Sequence, residues 1–66
     1  MNRIRELRQE KQLSQEELAR LLGVDRSSVA RWETGSNNPR MEKLIALARI
    51  FGCSLDELVQ ENRTAP

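Results

Sequence analysis

Residues 15–34 read QEELARLLGVDRSSVARWET, and the fold turns on how this stretch is punctuated. Ser14 precedes it and Glu17 follows three positions later, forming an S-x-x-E capping box. In that arrangement the hydroxyl and the carboxylate each take a backbone N–H at a helix start. Leu18, Ala19, Leu21 and Leu22 then supply the apolar side of a first helix. Gly23 is the residue best able to close it with a left-handed backbone. Val24 follows, then Asp25 as a second N-cap candidate with Ser28 after it, and the next helix runs to about Thr34 and stops at Gly35. Two helices joined by a turn of three or four residues that includes a glycine form the pattern of a helix-turn-helix.

The second of these helices has two unlike faces. With Arg26 at zero and about 100° per residue, Ala30, Thr34, Ser27 and Arg31 fall between about 40° and 140°. Ser28, Trp32, Val29 and Glu33 fall between about 200° and 340°. One face is therefore small, polar and cationic, and the other carries Val29 and Trp32. Small side chains let a backbone approach closely, and arginine is the side chain best matched to guanine O6 and N7. Taken alone, the same face is equally an ordinary solvated surface.

Outward from this pair, Ile4 and Leu7 mark one amphipathic helix over residues 2–11, with Gln12 in the turn behind it. Leu13 precedes the Ser14 cap at a spacing that suits a hydrophobic staple with Leu18. Beyond Gly35, Ser36-Asn37-Asn38-Pro39 has loop composition. Met41, Leu44, Ile45, Leu47, Ala48 and Phe51 then follow helical spacing to a stop at Gly52. This is the most apolar helix, and the spacing places it as the floor of the core. Arg40 occupies its N-cap position, where Ser or Asp is preferred, which suggests that Arg40 serves something outside the helix. Ser54 and Glu57 form another capping box, opening a short last helix through Leu58 and Val59. The tail at 61–66 has no apolar periodicity and reads as flexible.

Sixty-six residues make one small domain, and the aliphatic spacing supports four or five short helices around a single core. There is one cysteine and no histidine, so neither an internal disulfide nor a histidine-containing metal cluster is available. Cys53 sits where a helix connection takes a small apolar residue, and a redox or dimer-linking role is the alternative. Without histidine, paired carboxylates in a cleft context or a glycine-rich phosphate loop, the residues exclude most enzyme chemistry, and no cofactor is expected. The chain opens MNRIRELRQEK, which does not read as a signal peptide, and the apolar run at residues 44–48 is too short to span a bilayer. These features predict a soluble, cytoplasmic protein with no membrane partner. The net charge of +1 is uninformative as a total, but it divides into +2, −1, +2 and −2 over residues 1–13, 14–35, 36–52 and 53–66. A fold can gather the basic stretches on one face.

Residues 13–35, LSQEELARLLGVDRSSVARWETG, resemble the helix-turn-helix of the Cro/C1 repressor family, also called the XRE family. The resemblance is carried by Gln15 at the motif's first position, by Ala19, Gly23 and Val29 at the family's spacing, and by the Trp32-Glu33-x-Gly35 ending. It continues through Asn38-Pro39 and the closing GCSLDELV. It implies an all-α, compact five-helix, lambda-repressor-like DNA-binding domain over residues 1–60, with the motif at 15–34 and helix 3 in the major groove. Carried over by position, Ser14 and Gln15 meet a phosphate, and Asp25, Arg26, Ser27 and Arg31 touch bases or flanking phosphates. Ser36, Asn37, Asn38 and Arg40 match the segment that clamps the backbone after the recognition helix. Arg8 and Glu33 match a partly buried ion pair joining helix 1 to helix 3, two separate surface charges being the alternative. The chain departs from the pattern at Asp25, where many members have Ser or Thr. An anion there is a pure cap or an acceptor for a cytosine amino group.

The resemblance thus implies a sequence-specific DNA-binding transcriptional regulator, a repressor by expectation, acting as a homodimer on a palindromic operator. It is cytoplasmic, and nucleoid-associated when bound to DNA. Leu55 and Val59, with Phe51 or Ile50, are the candidate dimer residues, unless they complete the monomer core. No metal and no small-molecule ligand are expected. The competing expectation is a protein-interaction module, or an antitoxin-like partner protein, in which DNA binding is secondary.

Overall fold

A computed structural model describes residues 3–59 of the chain; the tail expected at 61–66 lies outside the described residues. Five helices follow one another: α1 (Ile4–Glu10), α2 (Gln15–Leu22), α3 (Arg26–Thr34), α4 (Met41–Phe51) and α5 (Leu55–Val59). Among the described residues there is no strand, so the architecture is the all-α, five-helix arrangement that the sequence predicts.

The expected punctuation of α2 is present in full. Glu17 N donates to Ser14 Oγ at 3.0 Å, and Ser14 N donates to Glu17 Oε1 at 2.8 Å. At the other end Gly23 lies at φ +73°, and Val24 N turns back to Ala19 O at 3.0 Å. That left-handed step reverses the chain into α3 within a few residues, which a side chain with a Cβ would resist. Ser54 and Glu57 open α5 by the same reciprocal exchange, at 3.1 and 3.0 Å.

The start of α3 departs from expectation. Asp25 has the extended backbone of an N-cap, but its carboxylate accepts no capping bond. The N–H such a carboxylate would take, that of Ser28, already donates to the Asp25 carbonyl at 2.9 Å. The first turn closes on the main chain, and the carboxylate stays exposed. Arg40 likewise stands at the α4 N-cap with no side-chain cap bond. Helix α1 is shorter than the 2–11 expected and is followed by Gln12 at φ +58°, the one described non-glycine residue in the left-handed region.

One core joins all five helices: Ile4 and Leu7, Leu18, Ala19 and Leu22, Val29 and Trp32, Leu47, Ala48 and Phe51, and Leu58. Leu13, Val24, Leu44, Ala46, Ile50, Cys53 and Leu55 pack half-buried around it. Arg3 N donates to Leu58 O at 3.2 Å, which seats α5 beside the start of α1. Three apolar residues expected on the inward faces point out instead: Leu21 (61% exposed), Met41 (60%) and Ile45 (41%). On α4 the covered stripe is Leu44, Leu47, Ala48 and Phe51; Met41 and Ile45 fall about 60° or more beyond the centre of that stripe, past the edge of what the neighbouring helices cover. No helix among the described residues is long and apolar enough to cross a membrane.

Candidate nucleic-acid interface

Helix α3 is held by its inner face. Val29 is fully buried and Trp32 nearly so, while Arg26, Ser27, Arg31 and Thr34 are exposed and Ala30 is half-buried. The angular separation computed from the sequence is therefore the separation seen in three dimensions. The Arg31 guanidinium, at the edge of the exposed face, has no hydrogen-bond partner among the described residues. Arg26 does have one: its Nη1 donates to Gln15 Oε1 at 3.3 Å.

The foot of α3 carries a charge that has no access to water. The Glu33 side chain is 0% exposed and accepts from Arg8 through Nε to Oε2 at 2.6 Å and Nη2 to Oε1 at 3.2 Å. This two-pronged geometry suits a guanidinium and a carboxylate. Arg8 Nη1 also donates to Leu13 O at 2.8 Å, so one side chain fixes α1, the α1–α2 turn and α3 together. Gln15 Nε2 donates to Glu33 Oε1 at 3.0 Å, and Arg5 Nε lies 3.6 Å from the same oxygen. Burial pushes the Glu33 carboxyl up, but the hydrogen bonds from Arg8 and Gln15 and the charges of Arg8 and Arg5 outweigh it and hold it below the ordinary range.

Ser14 is exposed, its hydroxyl engaged in the capping box, and Gln15 is half-buried. Thr34 Oγ1 donates to Arg31 O at 3.2 Å and lies 3.1 Å from Ser36 Oγ, which pins Ser36 against the end of α3. Asn37 N turns back to Arg31 O at 3.4 Å, while the Asn37, Asn38 and Arg40 side chains are exposed. No group of acidic, cysteine or histidine residues among the described residues could hold a metal ion.

Three features of this region escape a linear reading. Arg5, 59% exposed beside Glu33, joins Arg8 on one face of α1 by its i, i+3 spacing, which is the one signal that could have flagged it. The Gln15–Arg26 bond depends on the angle at which α2 meets α3. Lys43 Nζ donates to Leu22 O at 3.0 Å, placing a cation on the negative end of α2 from the far side of the chain. Elsewhere, Phe51 is buried in the monomer core, the alternative to a dimer role. Leu55 and Ile50 are half-buried against the core, while Val59 is 45% exposed. Cys53 packs half-buried against the core, and burial pushes its thiol up, away from the reactive thiolate.

A helix-turn-helix family model matches residues 4–58, nearly the whole described fold. The chain belongs to the XRE, or Cro/C1-type, helix-turn-helix family. Its relatives include the HTH-type transcriptional activator BcrR of Enterococcus faecalis, 39% identical over 86% of this chain and 28% of that protein. The cryptic phage CTXphi transcriptional repressor RstR of Vibrio cholerae is 36% identical over 96% of this chain and 57% of its own length. The chain thus spans 28% and 57% of the lengths of these two curated relatives. Among solved structures, the P22 c2 repressor in complex with a synthetic operator superposes with a TM-score of 0.82. It is 33% identical, and the match covers 88% of each chain.

Proposed function

We propose that this XRE-type domain is the sequence-specific DNA-reading part of a transcriptional repressor, which binds a palindromic operator as a homodimer. The observation that carries the proposal is the exposed Arg26–Ser27–Arg31 face of α3, clear of the core and anchored from behind by Val29, Trp32 and the Arg8–Glu33 pair. A helix presented in this way can enter the major groove with its small residues against the bases and its arginines over purine edges. The α2 N-terminus with Ser14 and Gln15, Arg5 on α1, and the Ser36–Asn37–Asn38–Arg40 segment then lie against flanking phosphates. The exposed Asp25 carboxylate repels phosphate, and with its capping role gone it is left to accept from a cytosine amino group.

One copy of α3 offers too few base contacts for selectivity. Two-fold pairing doubles them and sets half-sites one helical turn apart, about 34 Å. The fit to the P22 c2 repressor, which was solved on operator DNA, supports the docking mode. Selection of bound duplexes from a random pool tests the whole reading, with recovery of a two-fold symmetric site as the expected result. Binding should weaken steeply with salt, because phosphate contacts release counterions. Recovery of no preferred sequence overturns the proposal.

A further inference from the structure

We infer that Thr34 and Ser36 are positioning residues: their hydroxyls, linked in one direction, set the loop after α3 so that the Asn37 and Asn38 amides meet the DNA backbone. The inference deepens the DNA-reading proposal and rests on it. Thr34 stands on the exposed face of α3, about 80° round from Arg26, where a hydroxyl with a free proton could donate to DNA. Its single proton is committed elsewhere. A carbonyl oxygen only accepts, so Thr34 Oγ1 donates to Arg31 O, at 3.2 Å. Thr34 Oγ1 is then left to accept, and Ser36 Oγ, 3.1 Å away, is the donor of that pair. Neither hydroxyl retains a proton for a phosphate, whose oxygens only accept.

The main chain at the start of the loop turns inward in the same way. Gly35 N donates to Trp32 O at 3.3 Å, and Ser36 N and Asn37 N both donate to Arg31 O, at 3.0 and 3.4 Å. The Arg31 carbonyl thus gathers two main-chain donors and the Thr34 hydroxyl, the left-handed step at Gly35 (φ +86°) bringing the chain back to it. What these residues leave for DNA is the exposed side-chain amides of Asn37 and Asn38. Residues 35–39 hold no lysine or arginine. A lysine carries its charge on a flexible stem and finds a phosphate from many loop conformations. A neutral amide on a short stem has only a directional bond to give, so its grip depends on the loop being set before the DNA arrives. The Thr34–Ser36 link is what sets it.

The test uses the full chain on two duplexes, one recovered from a random pool by the unmodified protein and one scrambled. Thr34→Val keeps the β-branched shape and removes both hydroxyl bonds. It should weaken binding to both duplexes by the same factor, about threefold to tenfold, with every base preference kept. The slope of affinity against salt should not change, because neutral amides displace no counterions. Thr34→Ser keeps the hydroxyl and should restore affinity, while Ser36→Ala removes the second bond alone and should show part of the same loss. In a background of Asn37→Ala with Asn38→Ala, itself weakened, Thr34→Val should cause no further loss. A preference lost at one base pair, the same loss with and without the asparagines, or unaltered binding in Thr34→Val overturns the positioning role and leaves the regulator reading standing. Absence of any sequence preference in the unmodified chain overturns that reading first, and this inference with it.

Discussion

Glu33 is a carboxylate whose side chain has no exposed surface in a domain of 66 residues, and it is tolerable only because three N–H donors, two from Arg8 and one from Gln15, converge on it, with the Arg5 charge beside them. Removing one partner of such a pair leaves a buried charge uncompensated. Arg8→Ala should therefore destabilise by about 3 kcal/mol, measurable by urea unfolding, and loosen α3 without removing a base contact. The same site makes stability depend on pH. The folded carboxyl is held below its unfolded value, so its contribution is complete above the unfolded value, about 4.3, and is lost as pH falls through the lower folded value. Thermal midpoints followed from pH 7 to pH 2 should fall in that window, and the fall should flatten in Glu33→Gln. Gln12 is the opposite case, a residue in a conformation its side chain resists, at φ +58°. Gln12→Gly should raise stability by up to about 1 kcal/mol in a thermal melt, partly offset by the greater freedom of glycine in the unfolded chain.

At the scale of the helix, α3 behaves as a lever held by one face. Its inner residues and its exposed arginines were both legible from a count of about 100° per residue, because a short helix with a single covered side obeys that count. Arg31→Ala should cost about 1–3 kcal/mol on the selected site and relax preference at one base pair, read by competition between duplexes. Arg40→Ala, outside α3, should weaken binding to all sequences about equally and lower the slope of affinity against salt by about one ion. Helix α4 was less legible. Its apolar residues cover too wide an arc for periodicity to say which rows the neighbours reach, so Met41 and Ile45 were expected inside and lie outside. Asp25 failed as a side-chain cap for a local reason, since the Ser28 N–H it would bind is taken by its own carbonyl.

For the whole molecule, the proposed pairing of two copies governs affinity. With Phe51 enclosed in the core, Val59 is the exposed apolar residue at the α5 end, with Ile50 and Leu55 half-covered nearby in sequence. Val59→Glu should weaken operator binding by roughly tenfold or more, equivalent to about 1.4 kcal/mol. The thermal stability of the monomer should change by less than about 0.5 kcal/mol, as at exposed positions generally. Sedimentation of the unmodified chain with and without operator checks the premise, and a monomer under both conditions would remove the homodimer from the proposal.

Several features of this chain follow from short-range chemistry alone. The Ser14–Glu17 and Ser54–Glu57 boxes, the glycine helix ends and the two-faced character of α3 are each completed within a few residues of chain, so the residue pattern contains them. Other features exist only once the helices dock. The Glu33 carboxylate becomes a hub because α1, α2 and α3 meet there; the Gln15 amide acquires an orientation because it lies between an acceptor and a donor from different turns of α3; Lys43 reaches the end of α2 from α4. The physical reason is range. Caps and periodicity depend on bonds between near neighbours, while the angles between helices come from the packing of one shared core, and it is those angles that turn a capped helix pair into an aimed set of donors.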